Sequence, residues 1–249
     1  MAATMNGEPQ YDRTEEVKRF DESKIGVKGL VDSGLTSVPR FFIHPPETLS
    51  DLKPKTKPES VVIPAIDLSG PRSTVVEQVA SASRSFGFFQ IVNHGIPVQV
   101  LDRTIGSIRA FHEQPTDVKA RFYRRDTGTG VSFISNIDLF HSKAASWRDT
   151  LQIKLGPTLA ELEEIPEILS NDEYTSVEHR VLANPSHEPR VSVAVFFNAS
   201  ARDALYGPFP ELTSPGKPAL YRQFTYNDYM RRFFTKELDG KTLTNYYRL

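Results

Sequence analysis

No cysteine occurs among the 249 residues, which excludes disulfides, thiolate metal sites and a cysteine nucleophile. Long apolar runs are also absent. Stretches such as VAVFF and GFFQIV are far too short to span a bilayer. The formal net charge of −1 leaves no basic excess of the kind that nucleic acid or an anionic membrane attracts. The opening residues, MAATMNGEPQYDRTEEVKRFDESK, are polar and lack the apolar core of a signal peptide. Together these absences make the cytoplasm the expected compartment. What remains, 39% hydrophobic and 24% charged residues, is the composition of a globular chain rather than a disordered one.

No internal repeat or low-complexity tract interrupts the chain, and its length allows one large domain or two small ones. Residues 1–57 read as a leader ending in a linker rich in proline and lysine, HPPETLSDLKPKTKPES. VVIPAIDL then reads as a strand, with Pro64 suited to an edge. The capping-box spacing of Thr74 and Glu77 predicts a helix from about Thr74, with Val76, Val79, Ala80, Ser83 and Phe86 on one face. Gly87 ends that helix, and FFQIVN predicts a short buried strand turning at Asn93-His94-Gly95. Pro97 can open a second helix, whose apolar stripe is Leu101, Ile105, Ile108 and Phe111. Residues 131–156 read as mostly extended, with Trp147 as a packing anchor. Farther on, Ile165-Pro166 announces a helix, but the chain runs straight into the turn and strand pattern LSNDEYTSVEHRV.

The stretch EHRVLANPSHEPRVSVAVFF, residues 178–197, carries the most chemistry. Strand alternation would place Arg190, Ser192 and Ala194 on one face and Val191, Val193 and Val195 on the other. A guanidinium fork beside a hydroxyl can hold a carboxylate through parallel hydrogen bonds. Taken alone, however, Arg-x-Ser reads as a surface strand arginine. His179, between Val177 and Val181 on its own strand face, reads equally well as a packed core histidine.

The surrounding pattern resembles the iron(II)/2-oxoglutarate-dependent dioxygenases of plants. IPAIDL and RSFGFFQIVNHGIP are similar to the opening of that family's N-terminal domain. SNIDLFHSKAASWRDTL and YGPFPELTSPGKPALYRQFTYNDYMRRFF resemble its aminocyclopropanecarboxylate-oxidase-homologue branch. The resemblance implies a jelly-roll oxygenase barrel, Fe(II) and 2-oxoglutarate as cofactors, and oxidation of a small-molecule substrate coupled to 2-oxoglutarate decarboxylation. It further implies that His179 is an iron ligand and that Arg190 and Ser192 bind the 2-oxoglutarate carboxylate.

In the family two histidines and one carboxylate hold the iron, the first pair arriving as His-x-Asp or His-x-Glu. The residues two places after the six histidines are Pro46, Ile96, Gln114, Lys143, Val181 and Pro189. None is acidic. A jelly roll also needs about eight strands of roughly five or six residues plus turns, on the order of 80 to 100 residues. Between Leu169 and Phe197 there is room for only two or three. These observations predict an internal deletion joined near Ile168 and Leu169, which leaves His179 as a single remaining ligand and no catalytic residue. The expected fold is α+β: an N-terminal dioxygenase-type α/β unit at 58–168, then an incomplete double-stranded β-helix with a C-terminal helical tail at 169–249. Three functions fit: an impaired oxygenase, a non-catalytic or truncated splice form pairing with a full-length relative, or a defective or mis-predicted product.

Overall fold

A computed structural model describes residues 11–46, 62–125, 130–137, 139–153, 172–173, 186, 188–196, 201–235 and 242–249. His179, the expected helix start at Ile165-Pro166 and the expected junction at 168–169 lie outside the described residues. The chain divides into two compact units, Met1–Lys55 with Ile108–Leu155, and Thr56–Ser107 with Gly156–Leu249. No helix among the described residues is long and apolar enough to cross a membrane.

The first unit is built partly from residues read above as a leader. Helix α1 (Arg13–Ser23) starts at Asp12, whose carboxylate accepts the Glu15 N–H at 3.2 Å, and Glu15 and Glu16 favour the positive end of the helix. Val17 and Phe20, three residues apart, face inward. They join Val27 of α2 (Gly26–Asp32), the 3-10 turn Arg40–Phe42, Leu139 and Ala145 in one hydrophobic core. Aromatic rings knit this core. Phe41 and Phe42 lie 4.4 Å apart between centroids, and Trp147 meets Phe42 edge-on at 4.8 Å. Trp147 therefore does anchor packing, but at 43% exposure it is open on one side.

Strands β3 (Val131–Ile134) and β4 (Thr150–Ile153) pair antiparallel, with Val131 opposite Ile153 and Ile134 opposite Thr150. Asn136, fully buried, closes the connection between them. Its amide donates to the Ser146 carbonyl and its carbonyl oxygen accepts the Ser146 N–H, both at 2.8 Å.

The second unit begins with the expected strand, helix, strand and helix. Strands β1 (Ala65–Asp67) and β2 (Gln90–Val92) pair in parallel, Ile66 beside Ile91, joined across α3 (Arg72–Ser85). Helix α4 (Val98–His112) follows Pro97, and the unit division falls within it. Three details differ from the sequence reading. Helix α3 starts two residues before Thr74: Pro71, with φ fixed at −56°, leads the chain into the turn and no side chain caps it. The inward residue of α3 is Ala82, while Val76 of the expected apolar face is exposed. Strand β2 is not buried, since Gln90, Ile91 and Val92 are all exposed. Both departures go with a sheet that has only two strands among the described residues.

The later part holds β5 (Leu205–Tyr206) antiparallel to β6 (Phe224–Thr225), then α5 (Tyr226–Thr235) and α6 (Thr242–Asn245). Tyr221, Phe224, Leu243 and Tyr247 make its core. The architecture is thus mixed α and β. Among the described residues the sheets are two-stranded and none closes into a barrel.

Candidate functional site

Arg190 and Ser192 stand in a segment, residues 189–196, that pairs with no neighbouring strand among the described residues. The strand predicted there is not formed. A strand needs a partner to take up its N–H and C=O groups, and the described part of the chain supplies none. Both side chains are exposed, Val191 is half-buried, and Val193, Val195 and Phe196 are exposed as well. The alternation that would separate a polar face from an apolar one has no burial to act on.

Four of the six histidines are described, and each is accounted for without a metal. His44 and His141 are exposed. The Nδ1 of His94 accepts the Ile96 N–H at 3.1 Å, which makes it a turn residue. His112 is half-buried, its ring edge-on to Phe111 at 5.4 Å and 5.8 Å from Phe133. Burial pushes its imidazole below the ordinary value, against the pull of Asp149 and with the help of Lys119. Lys119 is itself buried, donating from Nζ to the His112 carbonyl oxygen at 2.8 Å.

Asp172 and Glu173 precede His179 by seven and six residues, and both are engaged. Asp172 sits in a turn with a φ of 63°. Its Oδ1 accepts the Tyr221 hydroxyl at 2.5 Å and its Oδ2 accepts Nη2 of Arg248 at 2.7 Å. Glu173 accepts Lys217 Nζ and Arg84 Nε, each at 2.7 Å. Those hydrogen bonds, Lys217 first, hold the Glu173 carboxyl below the usual range. A second network, in the first unit, gathers Tyr123 and Arg125 around Asp21. Burial alone would raise the Asp21 carboxyl, but the hydrogen bonds from Arg125 and Tyr123 outweigh it and hold the group low.

Among the described residues no cluster of three or more histidine or acidic side chains could hold a metal ion. Sequence reasoning missed the two carboxylate networks. The adjacent acidic pair Asp172-Glu173, just after the expected junction, was a signal for the first of them; nothing in the sequence marked the one around Asp21.

Residues 63–170 match the family model described as the non-haem dioxygenase in morphine synthesis N-terminal domain. The chain is 32% identical to the 1-aminocyclopropane-1-carboxylate oxidase homolog 4 of Arabidopsis thaliana, over 94% of this chain and 98% of that one. It is 30% identical to a 1-aminocyclopropane-1-carboxylate oxidase homolog of Solanum lycopersicum, over 97% and 98% of the two chains. The fold is similar to the crystal structure of JOX2 in complex with 2OG, Fe, and JA, with a TM-score of 0.59, 19% identity, and 90% and 97% of the two chains covered. The first alignment runs over 347 positions, whereas this chain has 249 residues, so about a hundred positions of that relative have no counterpart here. On these matches the chain belongs to the iron(II)/2-oxoglutarate-dependent dioxygenase family.

Proposed function

We propose that this chain is a cytoplasmic member of the family that does not catalyse the family's reaction by itself. In that reaction a small metabolite is oxidised while 2-oxoglutarate is decarboxylated to succinate. The observation that carries the reading is in the sequence: none of the six histidines is followed two residues later by Asp or Glu. His179 is then the one iron ligand kept, and Arg190 with Ser192 the kept half of a 2-oxoglutarate carboxylate clamp. One imidazole does not hold iron against water, and a clamp without the metal does not orient 2-oxoglutarate. The match to the N-terminal family model ends at residue 170, beside the junction inferred near 168–169. The engaged carboxylates of Asp172 and Glu173 support the same conclusion, because neither is free to replace a lost ligand.

The test is turnover. Purified protein with iron(II), ascorbate and 2-oxoglutarate is expected to release no succinate above a His179→Ala control. Succinate release that depends on His179 would overturn the reading.

A second reading, a truncated splice form that pairs with a full-length relative, is supported by residues 193–196. There Val193, Val195 and Phe196 are exposed on an extended segment, with Phe196 at 68%. Unpaired, apolar extended chain is a ready template for another chain.

A further inference from the structure

Two guanidiniums share one aromatic ring in the later part of the second unit. Arg232, on α5, lies over Tyr246 with its Cζ 3.6 Å from the ring centroid. The Cζ of Arg222 is 4.6 Å from the same centroid, and its Nη2 donates to the Tyr246 carbonyl oxygen at 3.3 Å. The two cations are therefore close neighbours, and like charges at such range repel.

Among the described residues no carboxylate balances them. Asp228 accepts Arg231 Nη2 on one oxygen at 2.9 Å and the Tyr247 hydroxyl on the other at 3.0 Å. Asp172 is filled in the same way by Tyr221 and Arg248. The ion pairs of this region thus belong to Arg231 and Arg248, not to Arg222 or Arg232. The Nε of Arg232 is buried and has no acceptor. A buried charged donor left unmet is destabilising, so this pair of arginines is organised at a cost that an added acceptor would remove.

Stacking holds a guanidinium by its face and leaves its in-plane N–H edge for an acceptor. Arg222 and Tyr246 are exposed, Tyr246 at 44%, so the place is open to solvent. Two forks, two positive charges and a hydroxyl match a tetrahedral dianion better than they match a single carboxylate.

We propose that Arg222, Arg232 and the Tyr246 hydroxyl form a phosphate-binding site, for inorganic phosphate or the phosphoryl group of a monoester. The bound dianion neutralises the arginine pair and joins Arg222 to α5 and to the residues after α6. The site is separate from the iron centre and from the Arg190–Ser192 clamp, and the proposal rests on neither.

Inorganic phosphate and glycerol 3-phosphate are titrated separately into the purified chain by calorimetry at constant ionic strength, with chloride as the control anion. The expected result is one saturable site per chain for at least one of the two phosphates and none for chloride. The tighter of the two tells free phosphate from an ester. Arg222→Gln and Arg232→Gln are each expected to weaken binding about tenfold or more, the effect of losing a charge-assisted hydrogen bond. Arg103→Gln, at an exposed arginine on α4, leaves it unchanged. Arg222 is exposed, so its variant should keep the circular dichroism of the parent, and it decides the matter if Arg232→Gln does not fold. No saturable heat with either phosphate overturns the proposal. So does binding that Arg222→Gln leaves unchanged, or that Arg103→Gln weakens as much. Succinate release by the chain does not enter these outcomes, so the catalytic reading and this one fail separately.

Discussion

The Tyr221 hydroxyl and the Arg248 guanidinium meet on the two oxygens of Asp172, and Arg248 also donates to the Tyr221 oxygen at 2.8 Å. The Arg248 guanidinium lies over the Tyr221 ring, 4.9 Å from its centroid. Asp172 stands just after the inferred junction, whereas Tyr221 and Arg248 belong to the C-terminal part. The contact ties the resumed chain to the tail's core, where Tyr221 is buried. Asp172→Asn should cost about 1–2 kcal/mol, the lower range for charge-assisted hydrogen bonds because the pair is partly solvated. Thermal unfolding is the readout, with a midpoint several degrees lower. Tyr221→Phe should move it in the same direction by less, and the two changes should not add.

Asp149 organises the start of α2. Its carboxylate accepts the N–H groups of Val27 and Lys28 at 2.8 and 2.9 Å. Asp149→Ala is expected to destabilise by about 1 kcal/mol, the usual cost of losing a helix N-terminal acceptor. Gly26→Ala should be worse. The residue has a φ of 68°, and an added Cβ would lie 2.7 Å from the Asp149 oxygens. Denaturant melts of both variants, compared with the parent, check the order.

Stability should fall on mild acidification, and His112 should be the group responsible. Unfolded, an imidazole takes up its proton near pH 6.5; in the folded chain burial delays this to lower pH. Between those values the unfolded state binds more protons, so stability is full above about pH 6.5 and declines below it. A second decline should appear below about pH 3.9, the unfolded value for an aspartate, because the Asp21 carboxyl is held lower in the folded state. His112→Gln should flatten the first decline and Asp21→Asn the second, as read from unfolding midpoints across pH.

Arg190→Ala and Ser192→Ala should change unfolding free energy by no more than about 0.5 kcal/mol, as expected for exposed positions. Calorimetric titration with 2-oxoglutarate should show no saturable heat for the parent or for either variant. A saturable heat in the parent that is lost in Arg190→Ala would restore the clamp.

Local pattern was legible in the sequence where neighbouring residues decide it. The strand, helix, strand and helix between Ala65 and His112 follow from periodicity, from Gly87 and from Pro97, and the structure forms them. Burial was not legible, because it depends on layers elsewhere. Ile91 and Leu101 have the pattern of core residues, yet both are exposed. The segment 190–196 makes the same point: alternation describes a strand, but only a partner makes one. The packing of residues 11–46 escaped detection because Phe41 and Phe42 find their partners about a hundred residues away, at Leu139, Ala145 and Trp147. On the site, the lack of an acid two residues after each of the six histidines is visible in the sequence itself. The engagement of Asp172 and Glu173 could not, because Tyr221, Arg248, Lys217 and Arg84 are distant in the chain.

The central claim is that this chain has lost the iron centre of its family, and the most direct test is metal stoichiometry. Anaerobic equilibrium dialysis against iron(II) with excess 2-oxoglutarate should give no saturable site, and the parent and His179→Ala should retain the same trace of metal. One tightly held iron per chain, absent from His179→Ala, would contradict the account.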